Sequence, residues 1–136
     1  MSTKEYLSQA YRIDQRINSK LAQVMSLRDL LGKATGTLSG APKAATPNPH
    51  SMEETIAKMV DLENEINEDI DALVDLKAEI MRRIKRVENT EYQTILELRY
   101  LCFKRWEEIA VEMGYSLRRL YELHDCALDE ISKSPH

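Results

Sequence analysis

Cysteine is nearly missing from this chain: Cys102 and Cys126 are the only two, and neither has a further cysteine or a histidine pair at zinc spacing. That excludes a disulfide framework and a structural zinc site, leaving two small reduced hydrophobes. Four glycines and four prolines in 136 residues are few for a disordered chain and suit a soluble helical protein. No apolar run approaches the roughly 20 residues of a membrane span. The start, MSTKEYLSQAYRIDQR, spreads charge where a secretory signal needs an apolar core. The expected place is the cytoplasm, with no membrane partner. Catalytic equipment is missing as well: there is no phosphate-cradling glycine loop and no metal-ligand cluster. The carboxylate pairs Glu53–Glu54 and Glu107–Glu108 read as solvation and capping. His124 and Cys126 stand two residues apart and so point to different faces of a helix. Neither an enzyme nor a cofactor is expected.

Hydrophobic residues, by contrast, make up 43% of the chain and charged ones 31%. The net charge of -4 argues against indiscriminate nucleic-acid binding, but it is unevenly spread: residues 1–50 sum to +4, residues 51–88 to -5 and residues 89–136 to -3. The first two segments should therefore attract each other, although an exposed ion pair contributes at most about 1 kcal/mol.

Apolar periodicity supplies the architecture. Ser2 and Glu5 form a capping-box pattern, followed by Tyr6, Ala10, Ile13, Ile17, Val24, Leu27 and Leu31 in steps of three and four, with Lys20 interrupting. The stripe predicts a helix over about 3–31, ending near Gly32. GKATGTLSGAPKAATPNPH has no period and reads as a flexible loop over about 32–50. Ser51 and Glu54 then suggest a second capping box. Behind it a stripe through Met52, Ile56, Met59, Ile66, Ile70, Leu73, Ile80, Ile84 and Val87, broken at Glu63 and Lys77, predicts a helix over about 51–88. The expected pair is an antiparallel hairpin, residues 1–88. Because two helices alone bury little, it should pack on a second copy and make a homodimer; the alternative is that the chain's own tail covers the stripe.

From residue 89 the pattern shortens. Asn89 or Thr90 can cap a helix carrying Tyr92, Ile95, Leu96, Leu98, Leu101 and Cys102. Trp106, Ile109, Ala110 and Met113 share one face of the next, where Trp106 reads as a core anchor. Gly114 follows where a helix exit favours a left-handed residue, and Ser116 is placed to cap a last helix with Leu120, Leu123, Ala127, Leu128 and Ile131 inside. Two short helices joined by such a turn form a helix-turn-helix over 89–136, which presents the start of its second helix to the major groove of double-stranded DNA.

EEIAVEMGYS, followed by a helix ending ALDEI, resembles the fourth conserved region of bacterial primary sigma factors. Glu108, Ile109, Ala110, Gly114, Ser116, Ala127 and Leu128 fall on that pattern without a gap, and YQTILELRYLCFKRW resembles the helix before it. Over nearly its whole length the chain resembles small phage-encoded proteins of the ArpU and RinA late-transcription group, sharing MSTKEYLSQAYRIDQRI, the Pro-rich gap and ELRYLCFKRWEEIAVEMGYSLRRLY. The expectation is an all-α fold: a long antiparallel helical hairpin followed by a C-terminal sigma-like helix-turn-helix. The sigma resemblance implies a base-facing side made by Leu117, Arg118, Tyr121 and Glu122, with Ser116 and Arg119 nearer the backbone. Arginines stand in sigma factors at the positions of Leu117 and Tyr121, so the promoter sequence they read does not carry over.

Arg118 suits a two-pronged contact with guanine, and Tyr121 a thymine methyl or a phosphate; the alternative for both is a solvated helix face. Lys104 and Arg105, at the start of the first motif helix, join the candidate DNA contacts. Arg82, Arg83, Lys85 and Arg86 are further candidate phosphate contacts, and equally suit the negative end of their helix dipole. The expected function is a phage-type transcription regulator in the bacterial host cell. The alternatives are a small terminase subunit that recognises packaging DNA, or a protein-binding adaptor acting on host RNA polymerase without touching DNA.

Overall fold

The computed structural model describes residues 1–40 and 49–133, with side chains placed for 1–33 and 52–133. Among the described residues the protein is all-α, with α1 (Thr3–Gly40), α2 (Pro49–Lys85), α3 (Thr90–Tyr100), α4 (Trp106–Met113) and α5 (Leu117–Lys133) in chain order. Two units emerge from the packing, Met1–Asp14 with Ala72–His136, and Gln15–Asp71. The start of α1 and the end of α2 thus belong with α3, α4 and α5, where the sequence pattern suggests a boundary between 88 and 89.

The start of α1 follows its sequence signal, with Ser2 Oγ accepting the Glu5 backbone N–H at 3.1 Å. Its expected stop does not. The helix continues through Gly32 to Gly40, because an interior glycine costs a helix only about 1 kcal/mol against alanine and Gly32 does not adopt the positive φ that turns a chain out. Positions 41–48 of the expected loop lie outside the described residues. At the far side α2 begins at Pro49, a position where the missing N–H would have no helical partner. Ser51 therefore sits inside the helix rather than capping it, and its side chain lies outside the described residues. The last turn of α2 carries Arg82, Arg83 and Lys85, cations that complement the exposed carbonyls there.

In the unit Gln15–Asp71 the two helices run antiparallel, with Ile17, Val24 and Ile66 buried. The cation that breaks the α1 stripe is built in: Lys20 Nζ lies 2.6 Å from Asp69 Oδ2 and 3.3 Å from Glu65 Oε1, with its side chain only 14% exposed. The hydrogen bond with Asp69 holds its pKa above the ordinary lysine value. Ile56 and Ile70, expected inside, are 48% and 41% exposed.

The other unit holds the main core. Leu7 and Ala10 of α1 pack with Ile80 and Ile84 of α2, Val87 behind it, Leu96 and Tyr100 of α3, and Ala127 and Ile131 of α5. Tyr6 fastens this packing at its edge, donating to Glu79 Oε1 at 2.6 Å under the Arg83 guanidinium, 4.2 Å from its ring centre. Burial, followed by that bond to a carboxylate, pushes the Tyr6 hydroxyl up to about 12. Lys77, the other break in the α2 stripe, places its ammonium 4.5 Å from the centre of the Phe103 ring. Phe103 takes φ 59 between α3 and α4, a left-handed conformation costing a side-chain-bearing residue about 1–2 kcal/mol. Its ring meets Tyr11 edge-on at 5.6 Å and packs against the core, which offsets that cost.

Candidate nucleic-acid interface

The helix-turn-helix is assembled by three local devices. Asn89 Oδ1 accepts the backbone N–H groups of Glu91 and Tyr92 at 2.8 and 3.2 Å and so starts α3. Gly114 closes α4 in the left-handed region, φ 75 and ψ 30, and its N–H and that of Tyr115 both donate to Ala110 O, at 2.9 and 3.0 Å. Ser116 Oγ accepts the Arg119 N–H at 3.1 Å and starts α5. Beyond its chain neighbours, nothing lies within 4 Å of where a Gly114 Cβ would stand, so Gly114→Ala should cost only its backbone strain. A loss of about 1–2 kcal/mol in urea unfolding is expected, with Gly114→Asn losing less; a neutral alanine variant would show that the turn does not need glycine.

A second cluster, Ile95, Ile109, Ala110, Leu120 and Leu123, lies beneath the motif, edged by Tyr92, Leu98, Trp106, Met113 and Tyr115. Burying Leu120 and Leu123 turns the opposite side of α5 outward. Leu117 is 40% exposed and Tyr121 45%, and Arg118, Arg119 and Glu122 are exposed beside them. Arg118 makes no ion pair among the described residues. The other expected cations are engaged: Arg119 with Glu122 at 3.6 Å, Arg105 with Glu108 at 3.5 Å, and Lys104 with Glu112. Glu112 keeps the Lys104 pKa above its ordinary value, and the Arg105 backbone N–H keeps the Glu108 carboxyl below its own. Such exposed pairs are worth at most about 1 kcal/mol each and can be exchanged for other anions.

Tyr121 is oriented by neighbours that the sequence pattern does not identify. Its ring meets Trp106 edge-on at 5.5 Å, Arg99 lies 4.5 Å over the indole, and His124 packs against the indole at 4.5 Å. Trp106 is therefore the expected anchor, though only partly buried. His124 is buried, and its Nε2 shares a 2.7 Å hydrogen bond with the Tyr100 hydroxyl. Burial pushes His124 down to about 4 and Tyr100 up to about 12, so both are neutral near pH 7. Cys126, two residues on, is exposed and faces Tyr92 instead. A histidine at an apolar spacing is the one signal from which this support could have been read. The cluster at the end of α2 has a different setting: Arg82 and Arg83 act on Tyr6, and the contacts of Arg83 belong to the packing of α1 on α2. The second half of α5 exposes Asp125, Asp129 and Glu130, with Lys133 at 3.1 Å from Asp129.

The family model of DUF1492, described as a protein of unknown function, matches residues 49–132. The chain belongs to that family. The DUF1492 match begins with the first residue of α2 and runs to the last turn of α5, so it takes in the helix-turn-helix and one hairpin helix together. No curated protein and no solved structure matches the chain. Among the described residues no helix of this DUF1492 member is long and apolar enough to cross a membrane, and no group of His, Cys, Asp and Glu could hold a metal ion.

Proposed function

We propose that this DUF1492 member is a phage-type transcription regulator that binds duplex DNA in the cytoplasm of a bacterial host cell, through the first two turns of α5. The observation that carries the reading is the exposed Arg118, without an ion pair among the described residues, one turn from Tyr121 at the Ser116-capped start of a helix whose other face is buried. In that position a helix enters a major groove with its first residues at the base edges. The serine, the freed N–H groups and Arg119 meet phosphates. The likeness of EEIAVEMGYS to the fourth sigma region and of the longer sequence to the ArpU and RinA group supports the same reading. Lys104 and Arg105 would exchange Glu112 and Glu108 for phosphates, and the acidic end of α5 keeps binding confined to its start.

Selection from random duplex DNA, followed by titration of the recovered site, tests this. Arg118→Ala should weaken the selected site by about 5- to 150-fold, the equivalent of about 1–3 kcal/mol for a two-pronged guanine contact, and relax the preference at one base position. Arg119→Ala should weaken all sequences alike and lower the salt slope by about 1. No selected sequence, or binding unchanged in both variants, would remove α5 as the reading element. A particular observation favours the adaptor alternative: Val111 on α4 is 83% exposed among Glu107, Glu108 and Glu112. Co-purification with host RNA polymerase and no retention of DNA would support it. A ring of many copies would support the terminase alternative.

A further inference from the structure

The unit Gln15–Asp71 leaves a second apolar stripe uncovered. On α2 the positions 56, 60, 63, 67 and 70 follow heptad steps of four and three, and Ile56, Val60 and Ile70 among them are 48%, 49% and 41% exposed. On α1 the positions 21, 25 and 28 do the same, with Leu21 and Met25 at 44% and 63%. The two stripes border one cleft of about 300 Å³, lined by Leu21, Met25 and Arg28 from α1 and Glu63 and Asn67 from α2, with Val24 and Ile66 at its floor. The hairpin's own seam uses Ile17, Val24 and Ile66, and this face borders that seam, sharing Val24 and Ile66 with it. Sustained a/d spacing on a second face is what a helix needs to touch a third and a fourth helix.

Charge selects the occupant. Beyond Lys20, which Asp69 and Glu65 already hold, α1 carries Arg16 and Arg28 against Asp29 over residues 15–32, whereas α2 carries six further carboxylates against Lys58 over residues 52–71. A partner must therefore bring an acidic helix to α1 and a basic helix to α2, side by side and both with apolar spacing. A second copy turned by a two-fold axis brings both, and an isologous contact closes on itself. We infer that this face is the seam of a homodimer, in which two hairpins form a four-helix bundle with α1 of each copy against α2 of the other. Arg28 lies opposite the partner's Glu63, and Leu21, Met25, Ile56 and Val60 fill the seam. Asn67, a polar residue within an apolar repeat, sets the register. The inference deepens the DNA-binding reading, since two copies present two reading heads and a two-fold DNA site, but its geometry does not depend on DNA.

Sedimentation of the full chain without DNA provides the test. Twice the 15.7 kDa chain mass is expected at micromolar concentration. Arg28→Glu and Glu63→Arg should each weaken the dimer at least ten-fold, since each places like charges opposite one another. Mixing the two variants should restore dimers, because in the mixed pair both contacts between positions 28 and 63 again join a carboxylate to a guanidinium. Met25→Glu with Val60→Glu should give monomers that the mixture cannot rescue. Circular dichroism of the charge variants checks that helix content is kept, and the rescue itself shows that they fold. A single 15.7 kDa species at all concentrations, assemblies larger than two, or variants that do not complement each other would overturn the inference. A dimer that retains no DNA would leave the seam standing and remove the function proposed above. A monomer that binds a single half-site would do the reverse.

Discussion

Leu120→Ala is expected to lower the stability of the C-terminal unit by about 2–5 kcal/mol, the range for a fully buried leucine truncated in a core that cannot close around the gap. Leu120 has no exposed surface and lies among Ile95, Ile109, Ala110 and Leu123. All three helices of the motif meet at that cluster, so none can shift to fill the space without moving another. Against the roughly 5–15 kcal/mol typical of a domain, such a loss leaves little margin. Leu117→Ala is the matched control. It removes the same atoms three residues earlier, from a side chain 40% exposed on the outer face, and should change stability by less than about 0.5 kcal/mol. Urea midpoints of the two variants compare them directly. Equal midpoints would mean that the inner and outer faces of α5 have been assigned the wrong way round.

Acid should destabilise the same unit through His124. Burial holds its folded pKa at about 4, below the ordinary histidine value of 6.5. Above that ordinary value both folded and unfolded states carry the neutral ring, and His124 contributes no pH dependence. Between pH 6.5 and 4 the unfolded chain takes up a proton that the folded chain refuses, so stability falls as the pH falls. The loss is complete below about pH 4 and amounts to about 3 kcal/mol. Neighbouring charges adjust this balance in both directions, Asp125 favouring the proton and Lys4 and Arg99 opposing it. His124→Gln keeps a hydrogen-bonding group near the Tyr100 hydroxyl and cannot titrate. Its unfolding free energy should therefore fall less steeply over this window than that of the wild type. Carboxylates such as Glu108, whose pKa is held down by the Arg105 backbone N–H, titrate in both proteins and cancel in the difference. Two parallel curves would show that the ring is protonated without cost.

Most of the local punctuation is legible because it depends on neighbours along the chain. Asn89, Gly114 and Ser116 perform the capping and turning that their residue types and spacing announce. The inner faces of α4 and α5 are legible for the same reason, since a period near 3.6 needs only one partner surface. Where a local signal overstates itself, a weak preference has met a longer-range gain. Gly32 has the residue type of a stop, but α1 continues to Gly40 at the cost of one unfavourable residue. Nothing local marks Phe103 for a left-handed conformation, which it holds because its ring packs beneath Lys77 and against Tyr11. Leu7, absent from the expected stripe, is fully buried because α2 and α5 both pack near the first turns of α1.

The candidate interface divides in the same way. That Arg118 and Tyr121 face outward follows from the helical period. That Arg119, Lys104 and Arg105 are held by carboxylates, and that Tyr121 rests on a Trp106–His124–Tyr100 stack, depends on which side chains three helices bring within a few ångströms.

The helical class, the starts of α1, α3 and α5, the turn at Gly114 and the apolar face of α5 follow from the amino-acid sequence alone, because capping, left-handed glycine and side-chain periodicity act over three to five residues. Only the tertiary structure decided that the first turns of α1 join the core of α5, that His124 stays neutral, and that Ile56, Val60 and Ile70 remain uncovered. Burial and charge pairing between residues tens of positions apart depend on how helices cross, and no local spacing contains that information.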